Sequence, residues 1–105
     1  MPSHVTYAYI RQNPDIREYI RRADMSLAAI GYTEHSFAHV EKAAHNAAMI
    51  LETLQYPARQ VELAKIAGFL HDIGNVVNRV DHSQSGAVMA FRILDRMNFP
   101  PEEIA

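Results

Sequence analysis

An all-α fold, a bundle of about five helices around one interior, is what the sequence predicts, and three observations predict it. Apolar residues recur every three or four positions in each long segment. The punctuation between segments is helical: Asn13-Pro14-Asp15, Pro57 and Asn98-Phe99-Pro100 read as helix starts, and Gly31 and Gly74 as stops. Residues 61–74, VELAKIAGFLHDIG, are apolar nearly all round when placed at about 100° per residue, with Glu62 and Lys65 the interruptions, so this helix is expected at the centre.

The elements follow in order. Val5, Tyr9 and Ile10 fall at helical spacing in a short helix or surface arm over residues 1–12, where His4 is expected to be solvated. Asn13 as N-cap, Pro14 at the first helical position and Asp15 in the first turn open a helix that runs to about residue 30. Its apolar stripe is Ile16, Tyr19, Ile20, Ala23, Leu27 and Ile30, and the Arg21-Arg22 doublet reads as a solvated face. The next helix opens at Tyr32 or Thr33 and ends before Tyr56-Pro57, with Val40, Ala44, Ala47, Leu51 and Leu54 as its core stripe. His39 sits at the edge of that stripe beside the small Ala43, whereas His45 is on the Glu41-Glu52 side and is expected to be exposed. After the central helix, residues 75–80 connect to a helix capped by Asp81 or Ser83 and running to about Met97. His82, Gly86, Met89, Ala90, Ile93, Leu94 and Met97 share its inward face. Pro100 and Pro101, followed by Glu102 and Glu103, announce a last helix with barely one turn before Ala105.

Composition bounds the function. The 105 residues suit one domain, 1–105, and a 49% hydrophobic content excludes disorder. With no Cys, disulfides, thiolate nucleophiles and Cys-ligated zinc are excluded, so any metal binds through His, Asp or Glu, supported by Asn or water. The net charge of -2 and the scattered basic residues offer no nucleic-acid footprint. No apolar run approaches the ~18 residues of a membrane span, and no signal-peptide core opens the chain, so a soluble, cytoplasmic protein without a membrane partner is expected.

A helix that is apolar nearly all round is a central, buried one, so His71 and Asp72 are expected to be carried into the interior just before Gly74 ends it. An unpaired buried carboxylate costs several kcal/mol even after relaxation, and a cation shared with the adjacent imidazole removes that cost. The bland alternative is that Asp72 caps a neighbouring helix while His71 fills a core hole with one hydrogen bond. Inward imidazoles at His39, His71 and His82, on three helices, together with Asp72, shift the reading towards a metal, because several neutral histidines in one small core compete for few acceptors.

The order of His39 in HSFAHVEKAA, His71-Asp72 in LAKIAGFLHDIGN and His82 in DHSQSGAVMAFRIL resembles the HD superfamily of metal-dependent phosphohydrolases. The resemblance covers residues 34–105, and AGFLHDIG is its most specific part. It implies an HD-domain-like all-helical fold whose ligands converge on a central cleft. His39 matches the first metal-binding His, His71 and Asp72 the pair that names the family, and His82 the additional His of two-metal members. It further implies one or two divalent ions (Mn, Fe, Co, Ni, Zn or Mg), with His39, His71 and Asp72 on the first and Asp72 bridging to a second held partly by His82. Hydrolysis of a small phosphorylated substrate, a nucleotide or another phosphoester, by metal-activated water then needs no protein nucleophile.

Two departures accompany the match. The family's last metal-binding Asp and a further His have no counterpart in residues 1–105 and are expected beyond Ala105, which makes the domain C-terminally truncated and homo-oligomers through an uncovered apolar face an expected state. Asn75 stands where relatives often carry Lys, leaving Arg79 as the candidate catalytic phosphate donor beside Asp72, against a solvated loop arginine. His35 is weighed as a support for the ligands or a general acid, against a surface histidine. Two other functions stay open: a di-iron oxygenase of the same architecture, and a non-catalytic helical signalling or interaction module that retains the metal pocket.

Overall fold

The computed structural model describes residues 5–29, 36–76 and 82–105, with the backbone alone described for residues 24, 26–29, 36, 76 and 82. Among these residues the chain forms six α-helices and one 3₁₀ helix, and no strand. They are α1 (Tyr7–Gln12), α2 (Pro14–Ala29), α3 (Ser36–Thr53), α4 (Ala58–Leu70), the 3₁₀ helix (Ile73–Val76), α5 (His82–Arg96) and α6 (Pro101–Ile104). No described helix is long and apolar enough to cross a membrane.

Local chemistry accounts for the boundaries. Thr6 caps α1 by accepting from the Tyr9 N–H, and Asn13 Oδ1 accepts from the N–H groups of Asp15 and Ile16 at 3.0 and 3.1 Å, the capping expected for α2. Helices α3 and α5 end alike. Gln55 (φ 63°) and Asn98 (φ 64°) adopt the left-handed conformation, and the next residue donates back to the third residue before the cap: Tyr56 N–H to Leu51 at 3.0 Å, and Phe99 N–H to Leu94 at 3.1 Å. The second of these stops also packs Phe99 against the core with Leu94.

Helix α3 lies along α4, α5 packs over the 3₁₀ helix, and α2 contacts both the 3₁₀ helix and α3. The core joins Ile10, Ile16, Ile20, Val40, Ala44, Ile66, Phe69, Leu70, Ile73, Leu94 and Phe99. Tyr7 meets Phe69 edge to face at 5.7 Å, which brings α1 onto the central helix.

Two expectations are corrected. On α3 the buried line is Val40, Ala44 and Ala48, while Leu54, expected to close the core stripe, is 61% exposed because the helix has already ended at Thr53. The central helix stops at Leu70 rather than Gly74: residues 71 and 72 form a turn, and the 3₁₀ helix re-enters the core through Ile73, 1% exposed. Its apolar periodicity ran on across that change of backbone, since Ile73 is buried on either path.

Candidate metal centre

The early stop of α4 decides what happens to the His-Asp pair. A turn between two core-anchored residues, Leu70 and Ile73, leaves its own side chains at the rim. The His71 side chain is 40% exposed and that of Asp72 26%, so the expectation that both are carried into the interior is replaced by a site open to solvent. His39, on the second turn of α3, is 34% exposed and reaches the same rim.

Small residues make this convergence feasible. Gly68, one turn before His71, stands so close to α3 that a Cβ there would lie 2.9 Å from the Ala44 Cα. With Ala43 and Ala44 one turn after His39, the two helix axes approach closely where the imidazoles project. The 71–74 turn is held from the α5 side in the same way: a Cβ on Gly86 would lie 3.2 Å from the Gly74 nitrogen.

Three atoms meet there. His39 Nε2 lies 2.9 Å from Asp72 Oδ2 and 3.3 Å from His71 Nε2, and His71 Nε2 lies 3.1 Å from the same carboxylate oxygen. Donors roughly 2.0–2.2 Å from a first-row divalent ion stand ~2.8–3.6 Å apart at octahedral to tetrahedral angles, which covers all three edges. The protonation pattern points the same way. His71 Nδ1 is 2.6 Å from the Gly68 carbonyl oxygen, which only accepts, so Nδ1 carries a proton and Nε2 of the ring in its neutral form presents a lone pair. That lone pair faces a carboxylate oxygen at 3.1 Å. Two acceptors at that distance repel unless a cation, proton or metal, stands between them. The residues present therefore fit a divalent ion, which the two imidazoles and the carboxylate would hold.

Of the residues singled out from sequence, His39, His71 and Asp72 are brought together. His82 is the first residue of α5, with its side chain outside the described set, and Arg79, His4 and His35 lie outside the described residues. His45 is exposed and apart from the group. Sequence reasoning missed two contributors. A glycine inside a helical pattern and three residues before His71 was the signal for Gly68. Asn75, taken for a lost phosphate contact, is 2% exposed and donates Nδ2–H to the Asp72 carbonyl at 2.9 Å. No sequence signal marks that role.

A groove of about 490 Å³ between α4, α5 and α6 has His71, Ser83, Gly86 and Phe99 in its lining. The family model described as HD domain matches residues 36–105, two thirds of the chain and every element from α3 to α6. No curated protein and no solved structure matches the chain. A helical fold that sets one histidine on α3 against a His-Asp pair at the end of α4, within a span matched by that family model, leads to one conclusion: the chain belongs to the HD domain family.

Proposed function

We propose that the protein is a metal-dependent phosphohydrolase acting on a small phosphorylated substrate, with a nucleotide the leading candidate. The observation that carries this reading is the triangle of His39 Nε2, His71 Nε2 and Asp72 Oδ2, with edges of 2.9, 3.1 and 3.3 Å and a ring proton already committed to Gly68. A divalent ion held there supplies Lewis acidity to a phosphoryl oxygen and lowers the pKa of a water molecule towards neutrality.

The chain's own residues supply the frame. The Gly68 carbonyl fixes the tautomer and orientation of His71, and Asp72 sets its negative charge against the cation. Exposures of 26% to 40% across the three side chains put the group within reach of a phosphoester from solvent. Arg79 and His82 enter the proposal from sequence, Arg79 as a phosphate donor and His82 as a ligand to a second ion.

The test is phosphate release from a panel of nucleotides and phosphomonoesters, with Mn2+, Co2+ and Mg2+ supplied in turn. Release that is abolished by a chelator and by Asp72→Asn is expected. Release that persists in Asp72→Asn, or a metal-loaded protein that consumes oxygen but hydrolyses nothing in the panel, would refute the reading.

A further inference from the structure

Asn75 is the buried polar residue of the described set, and its burial is at odds with stability. Its main-chain N–H and its side-chain Nδ2–H both donate to the Asp72 carbonyl oxygen, at 3.1 and 2.9 Å. A carbonyl only accepts, so the amide has to present Nδ2 to it and turn Oδ1 away. Oδ1 is then enclosed with no hydrogen-bond partner among the described residues. A buried acceptor without a donor destabilises the fold, whereas an apolar side chain of similar shape carries no such penalty. Leucine would remove that penalty, together with the Nδ2–H bond to the Asp72 carbonyl.

What leucine cannot do is hold the Asp72 carbonyl. With that carbonyl tied by two donors and Ile73 anchored at 1% exposure, the backbone of Asp72 is fixed on its C-terminal side. Oδ2 of the same residue is the atom that stands 2.9 and 3.1 Å from the two imidazoles. We propose that Asn75 is a positioning residue of the metal centre, giving up folding stability through its enclosed Oδ1 in order to orient the Asp72 carboxylate. The proposal rests on the metal reading of the site, and its test separates the two.

Co2+ is titrated calorimetrically into the parent chain, Asn75→Leu and Asn75→Ala, and the metal-free proteins are melted by circular dichroism. Asn75→Leu keeps the branch at Cγ. It is expected to melt at or above the parent temperature while its Co2+ dissociation constant rises about 10–100-fold, the usual loss for an outer partner of a metal ligand. Asn75→Ala also loses packing and melts lower, with the same loss of affinity when titrated below its transition. A leucine variant that binds Co2+ as tightly as the parent overturns the role of Asn75 and leaves the metal centre standing. If leucine does not fold, an alanine variant with parental affinity does the same. A leucine variant that folds but melts well below the parent overturns the stability trade, and a parent that takes up no Co2+ overturns both proposals.

Discussion

Gly68→Ala probes how the two ligand-bearing helices are held together. An alanine Cβ at this position would lie 2.9 Å from both the Cα and the N of Ala44 and 3.0 Å from the Ala43 carbonyl carbon. Ordinary carbon contacts fall at ~3.5–4.0 Å, so the helices have to part by about 0.5–1 Å. All three contacts are main-chain atoms, and no flexible side chain can swing aside. Overpacking of this kind costs about 1–3 kcal/mol, offset by up to ~1 kcal/mol from the better helix propensity of alanine. A net loss of about 1–2 kcal/mol lowers the melting temperature by roughly 5–15 °C in a domain of this size. The same separation moves His39 away from His71, and ligand sets tolerate only about 0.5 Å of misplacement, so Co2+ affinity falls together with stability. Thermal melts of the metal-free protein and calorimetric titration read the two effects. A variant that melts at or above the parent temperature would show that α3 and α4 do not approach at Gly68.

Other perturbations test the remaining supports. Gln55 holds a φ of 63° at the end of α3, so Gln55→Gly is expected to stabilise by up to about 1 kcal/mol, and a melting temperature that does not rise would refute the strain. Arg59 ties three segments together: it forms two hydrogen bonds to Glu103, at 2.7 and 3.0 Å, one to the Val5 carbonyl at 2.8 Å and one to Glu62 at 3.3 Å. Arg59→Leu removes the guanidinium from the largely buried Glu103 and should cost about 1–3 kcal/mol in denaturant titration; a loss within error of zero would deny the clamp. Hydrogen bonds from Arg21 and Arg22 hold the Glu18 carboxyl at about 2, below its ordinary 4.5. A depressed acid contributes stability above its unfolded pKa and loses it as pH falls through the folded value, so the support this acid gives α2 is complete above pH 4.5 and fades towards pH 2. The carbon-13 titration midpoint of Glu18 should lie near 2 and rise in Arg21→Gln/Arg22→Gln; a midpoint near 4.5 in the parent would refute the pairing.

How far the sequence could be read depended on the range of the interactions. The start of α2 is written in three adjacent residues, and Asn13 caps it as their chemistry requires. The inward face of α5 was legible from period alone, with Gly86 and Leu94 buried and Met89, Ala90 and Ile93 packed against the core. The adjacency of His71 and Asp72 was legible, but their depth was not, because the apolar pattern continues through Ile73 although the helix has ended at Leu70. The end of α3 was legible from Tyr56-Pro57, but the left-handed turn at Gln55 was not, since glutamine is an ordinary helix residue and only the backbone shows it. Arg59 was equally silent, with partners 44 and 54 residues away in sequence. The approach of Gly68 to Ala44 likewise exists only once α3 lies on α4.

The central claim is that His39, His71 and Asp72 bind one divalent ion between them. Anomalous difference density from a Co2+-loaded crystal, collected at the metal edge, tests it most directly. A peak at roughly 2.0–2.2 Å from His39 Nε2, His71 Nε2 and Asp72 Oδ2 is the predicted result. A peak coordinated by other side chains, or no peak with the Asp72 carboxylate merely accepting imidazole protons, would contradict it.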